Sequence, residues 1–93
     1  MKRDALQGLR VLELGQLIAG PFAGKTLADF GADVIKIEPE GTGDPLRGWR
    51  LLRNGSSVWW EVQSRNKRSV ALDLRSPDGQ AALRALAAEA DVL

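Results

Sequence analysis

Residues 11–38 limit what this chain can fold into more than any other stretch. Val11-Leu12-Glu13-Leu14 is a short apolar run. Gly15-Gln16-Leu17-Ile18-Ala19-Gly20 is a glycine-punctuated turn. Residues 21–30 read as an amphipathic helix closed by Gly31, and Asp33-Val34-Ile35-Lys36-Ile37-Glu38 is a second apolar run. Two β-rich runs joined through one helix form a β-α-β unit with parallel strands. The crossover packs back right-handed, because a right-twisted strand feeding a helix returns to the sheet only that way. Ligands of open α/β sheets bind beyond the carboxyl ends of the strands. The expected site is therefore the turn at 15–20 together with the residues just after Glu38.

Met1 to Gly8 is a lead-in expected to dock beside the first strand, which spans 9–14. Pro21 suits the first helical position, where a missing N–H costs nothing. Ala23, Leu27 and Phe30, at i, i+4, i+7, predict the buried helix face. Gly24 inside that helix costs up to ~1 kcal/mol against alanine, which points to close packing. The second strand, 34–37, is expected to be buried, with Lys36 reaching out. Residues 39–55 are turn-rich and long for a passive connection, the mark of a binding loop or lid. A short helix over 56–64 follows, capped by Ser56 or Ser57, with Trp59 and Trp60 partly buried. Val70, Leu72 and Leu74 alternate, predicting a third strand over 69–74. Ser76-Pro77-Asp78 starts a helix, with a capping serine, a proline and a first-turn acid. Its apolar stripe is Leu83, Leu86, Ala87 and Ala90. Asp91-Val92-Leu93 reads as a fourth strand, an odd place to stop, so the sequence is expected to be the N-terminal part of something longer.

With 93 residues the chain is one small domain. A net charge of +1 gives no global case for nucleic acid or a membrane surface. Cysteine and histidine are both absent. That removes disulfides, a thiolate nucleophile, zinc–thiolate sites and the usual near-neutral acid/base group, so no metal is expected. No apolar run approaches the ~18 residues that span a bilayer. Gln7, Arg10 and Glu13 interrupt any signal-peptide core after Lys2-Arg3, and the expected compartment is the cytoplasm.

Several motifs carry chemistry. Ala19-Gly20-Pro21-Phe22-Ala23-Gly24-Lys25-Thr26 is close to a phosphate-binding P-loop, and Val70-Ala71-Leu72-Asp73 could serve as its Mg²⁺-binding strand. A P-loop needs loop amides around the phosphate and a helix starting near the lysine. Pro21 lacks an N–H and favours an earlier start, which places Lys25 and Thr26 in the second helical turn. The glycines at 15, 20 and 24 do not make a dinucleotide fingerprint, although Glu38 stands where a ribose-binding acid would; a solvated strand-end acid is the plainer reading. Arg47, Arg50, Arg53, Arg65, Lys67 and Arg68 form a basic run that could hold phosphates bidentately or be a solvated face. Trp49, Trp59 and Trp60 are more often core or interface than stacking platforms. Asp73 beside Arg75 suggests a site edge.

Taken in order, Gly8-Leu9-Arg10-Val11-Leu12-Glu13-Leu14, Ala19-Gly20-Pro21-Phe22-Ala23 and the run from Leu27 to Glu38 resemble the start of the class III CoA-transferases. Gly43-Asp44, Arg47-Gly48-Trp49, Asn66-Lys67-Arg68-Ser69, Leu72-Asp73-Leu74-Arg75 and Ala90-Asp91-Val92-Leu93 continue the resemblance. This family includes formyl-CoA transferase, carnitine CoA-transferase and α-methylacyl-CoA racemase. The resemblance implies a Rossmann-like parallel sheet with flanking helices, incomplete here as the N-terminal part of a larger domain. Residues 1–93 would be the N-terminal portion of a CoA-binding domain in an interlocked homodimer. It implies transfer of coenzyme A from an acyl-CoA to a carboxylic acid through an attacking aspartate, which would lie beyond position 93, leaving this segment inactive alone. By position, Ile18 and Ala19 would touch the pantetheine, and Gln16 could contribute an amide. Leu72, Asp73, Leu74 and Arg75 would hold the adenosine end. The family often has arginine where Pro39 stands, and Arg47 or Lys67 could replace it. The alternatives are a racemase of the same family, away from which the Arg47-Gly48-Trp49 loop leans, and a non-catalytic nucleotide-binding or dimerisation module.

Overall fold

A computed structural model describes residues 4–93, so the start of the expected lead-in, residues 1–3, lies outside the described residues. The elements run β1 (Arg10–Glu13), α1 (Ala19–Asp29), β2 (Asp33–Glu38), a 3-10 turn at Pro45–Gly48, β3 (Leu52–Arg53), β4 (Ser56–Ser57), α2 (Val58–Gln63), β5 (Lys67–Ala71) and α3 (Pro77–Ala88). The main sheet is parallel with order β1-β2-β5. Val11 pairs with Val34, and Ile37 with Val70. Val92 makes a single parallel bridge to Val11, with Leu12 N–H donating to its carbonyl. The chain thus steps outward from β1 through β2 to β5, then returns to the free side of β1. That reversal is the switch point of a doubly wound, Rossmann-like sheet. The expected fourth strand is only this bridge.

Burial explains the sheet. Val11, Leu12, Val34 and Ile37 are buried, as a parallel strand covered on both faces requires. Val11 and Val34 pack with Ala28 and Ala32, flanked by Leu6, Leu9 and Leu27. The lead-in docks through Leu6, whose N–H donates to the Phe30 carbonyl. Lys36 corrects the expectation that it reaches out: it is 1% exposed.

Helix α1 begins at Ala19, two residues before the expected start, with Ile18 as cap and its carbonyl taking the Phe22 N–H. Pro21 becomes the third helical residue, and its missing N–H is still among the first four that lack intrahelical partners. The buried face is Pro21, Gly24 and Ala28 rather than Ala23, Leu27 and Phe30. Leu27 is half-buried, while Ala23 and Phe30 face out. Gly24 sets this rotation. A Cβ there would lie 1.8 Å from Glu13 Oε1 and 3.4 Å from Lys67 Cε.

The region expected to be an irregular loop is built. Asp44 caps the 3-10 turn by accepting the Leu46 N–H, and Leu46 is fully buried. Leu52 pairs with Ser57 and Arg53 with Ser56 across Asn54-Gly55. Both turn residues have positive φ, 53° and 80°, as a two-residue primed hairpin turn demands. Ser57 caps α2 through the Trp60 N–H. Trp60 is half-buried and Trp59 exposed. Strand β5 starts two residues before its expected position and ends before Leu72, whose N–H still donates to the Glu38 carbonyl. The stripe Leu83, Leu86 and Ala87 of α3, with Ala90 just past the helix end, is only half-covered. Among the described residues no helix is long and apolar enough to cross a membrane.

Candidate functional site

The carboxyl ends of β1, β2 and β5 open into one cleft of about 810 Å³. Leu14 and Gln16 form the β1 wall, residues 37–42 the β2 wall and residues 72–75 the β5 wall. A parallel sheet makes this inevitable: every strand finishes on the same side, and each following loop contributes to one rim.

The β1 wall is a tight bend. Leu17 has φ 65°, and the Ile18 N–H donates back to the Gln16 carbonyl at 3.0 Å. A two-residue-apart bond around a positive φ is a γ-turn of the rare, strained kind. For a leucine that conformation costs roughly 1–2 kcal/mol. Gly15 and Gly20 meet backbone to backbone behind it: a Cβ on Gly20 would lie 2.7 Å from Gly15 Cα.

Beneath this bend lies a buried ionic cluster. Lys36 Nζ is 2.7 Å from Glu13 Oε2 and 2.6 Å from Asp44 Oδ2, and it donates to the Gly15 carbonyl at 3.2 Å. Lys67 Nζ is 2.6 Å from Glu13 Oε1 and donates to the Pro21 carbonyl at 2.9 Å. Two carboxylates and two ammoniums, all nearly buried, balance in charge, as burial requires. Burial pushes the Lys67 ammonium down from its ordinary pKa, with Glu13 opposing the shift. Asp44 Oδ1 accepts the Leu17 and Leu46 N–H groups at 3.1 and 2.9 Å.

Glu38 ends β2 beside this cluster. Its carboxylate takes two bonds from Arg47, both 2.7 Å, one from the Asp44 N–H at 2.8 Å, and the Ser69 hydroxyl. Arg47 dominates in holding the Glu38 carboxyl down at about 2. The Arg47 guanidinium also lies 4.0 Å from the Trp60 ring centroid.

Gln16, Leu72, Asp73, Leu74 and Arg75 therefore line one cleft. Ile18 and Ala19 sit at the exposed shoulder of the bend, outside the lining. Arg75 N–H and Nε both donate to Asp73 Oδ1, and these contacts lower the Asp73 pKa. The Arg75 side chain is otherwise 93% exposed. Lys67 and Arg47 lie outside the cleft lining and are each engaged by an internal carboxylate, Glu13 and Glu38. Glu38 is neither a solvated acid nor free to bind ribose. The P-loop reading also falls: α1 starts at Ala19, Lys25 pairs with Asp29 at 3.0 Å, and the Thr26 hydroxyl donates to the Phe22 carbonyl. Of the basic run, Arg68 pairs with Asp33 at 2.6 Å. Sequence reasoning missed the roles of Glu13, Lys36 and Asp44. A lysine set within the continuous apolar run Val34, Ile35 and Ile37 of a buried strand was the available signal. Among the described residues no group of three or more acidic, histidine or cysteine side chains could hold a metal ion.

The geometry has known counterparts. Succinyl-CoA–D-citramalate CoA-transferase of Chloroflexus aurantiacus is 53% identical over 89 residues, covering 95% of this chain and 22% of that protein. Succinate–glutarate CoA-transferase of Agrobacterium fabrum is 44% identical, covering 99% and 25%. A CaiB/BaiF family protein from Brucella suis superposes with a TM-score of 0.86 at 41% identity, covering 98% of this chain and 25% of that one. The chain thus spans about a quarter of the length of these relatives. The model of CoA-transferase family III matches residues 6–93, nearly the whole sequence, and the chain belongs to that family.

Proposed function

We propose that this chain is the N-terminal part of an enzyme that moves coenzyme A from an acyl-CoA to a carboxylic acid, and that the cleft takes the CoA. One observation carries the reading: the cleft joins Gln16, on the bend after β1, to an exposed arginine after β5. Leu72 and Leu74 offer apolar surface to the adenosine end, and Arg75 offers guanidinium nitrogens beyond Nε to a phosphate. Gln16 turns its amide toward the thioester from the cleft wall, and Ile18 and Ala19 meet the pantetheine arm where it passes over the exposed shoulder. Pro39 supplies no charge on the β2 wall, so Arg75 carries the phosphate contact.

No aspartate here takes the attacking role. Asp73 is the aspartate of the cleft lining, and Arg75 holds its carboxylate; Asp44 lies beneath the bend, held by Lys36 and two amides. The nucleophile belongs to the remainder of the parent protein, as does the homodimer. The relatives named above are transferases, and nothing in the cleft favours a racemase.

Calorimetry of the parent protein with CoA tests the reading. Arg75→Ala should weaken CoA about tenfold, the loss of one charge-assisted contact, and should weaken dephosphorylated pantetheine little. Undiminished CoA affinity in that variant, or no CoA binding by the parent, would overturn the assignment.

A further inference from the structure

We infer that Lys36 and Asp44 are positioning residues that hold the γ-turn at Leu17, and through it the aim of Gln16 into the cleft; the link to catalysis rests on the CoA-transfer reading. The observations converge on one bend. Leu17 has a backbone conformation that a leucine avoids, and strain of this kind persists only where surrounding contacts over-determine it. Two buried groups supply those contacts, one on each residue that flanks Gln16. The Lys36 ammonium holds the Gly15 carbonyl, and the Asp44 carboxylate holds the Leu17 N–H. The two are joined at 2.6 Å and are each 1% exposed, so neither can swing to solvent. The Gly15–Gly20 backbone contact closes the bend behind them. Gln16 is therefore the one residue of the bend whose side chain lines the cleft, between two clamped neighbours.

Asp44 also ties the opposite wall to the same point. It caps the 3-10 turn through Leu46, and its own N–H holds Glu38 at the mouth of β2. A shift of Asp44 moves both rims of the cleft together. Neither residue is itself part of the cleft lining, so each acts through the groups it grips.

The test uses the parent protein with Asp44→Ala, Leu17→Gly and the double variant. Glycine adopts positive φ without steric cost, so it removes the need for a clamp. Asp44→Ala should speed hydrogen exchange of the Leu17 and Ile18 amides at least about tenfold. It should lower kcat about 10- to 100-fold, the scale of a misplacement near 1 Å, while KM for the acyl-CoA changes far less. Adding Leu17→Gly should restore much of the kcat. A stabilising role alone predicts no such rescue, and equal kcat loss in single and double variants overturns the inference. Should Asp44→Ala fail to fold, Asp44→Glu keeps the charge on Lys36 while moving the acceptor, and the same rescue is expected. Unchanged exchange at Leu17 and Ile18 in either Asp44 variant also overturns it. That exchange arm needs no substrate, so it decides the clamp even if the parent shows no CoA transfer.

Discussion

Glu38 ends its strand with both carboxylate oxygens engaged, by Arg47, the Ser69 hydroxyl and the Asp44 amide. Its pKa falls from 4.5 to about 2. A depressed folded value stabilises the protein above the unfolded pKa, and that contribution disappears as pH drops through the window from 4.5 to about 2. Glu38→Gln should therefore lower the urea midpoint near neutrality, and its deficit against the parent sequence should shrink toward pH ~3. Gly24 is a second single-residue case. Gly24→Ala adds a methyl against a Glu13 carboxylate that two ammoniums hold in place. The expected net destabilisation is about 1–3 kcal/mol, measured by chemical unfolding, despite alanine's better helix propensity. Gly24 was legible beforehand, since a helical glycine with no turn to make signals close approach. For Lys36 the apolar strand around it was a hint, but its partners were not legible: Glu13 lies 23 residues before it and Asp44 in the loop after β2, and they converge only when the sheet forms.

Element types were readable, but their edges moved where a cap or side-chain tether competed with periodicity. Helix α1 starts early because Ile18 already offers its carbonyl to Phe22. Strand β5 slips toward the amino end because Lys67 inserts under the sheet to reach Glu13, and the turn that Asp73 closes around Arg75 N–H ends the extended run. The alternation of Val70, Leu72 and Leu74 carried no trace of that tether. The small hairpin is the clearest element missed, although Asn54-Gly55 is its strongest signal. Gly55→Val places a β-branched residue at φ 80°. It should open β3 and β4 locally, seen as faster exchange and proteolysis near residues 50–57, while the global melting temperature shifts little.

As a whole the molecule is a slab, 38 × 36 × 20 Å, with a Cα radius of gyration of 13.7 Å. A compact chain of this length would give about 12 Å. The difference fits a thin core and apolar groups left outside, including Phe22, Phe30 and Leu51. Parallel order and cleft position followed from the sequence because one β-α-β unit dictates both. The half-covered packing of α3 did not, since an amphipathic stripe says nothing of what covers it. The 93-residue chain on its own should melt broadly, with α3 amides exchanging well before those of β2, by hydrogen exchange and calorimetry. The buried quartet of Glu13, Lys36, Asp44 and Lys67 also leaves a hereditary signature. Losing any one member strands an opposite charge away from water, so across related proteins these four positions should change as matched pairs or stay fixed. A lineage carrying a lone neutral replacement among them should show a compensating partner elsewhere in the set.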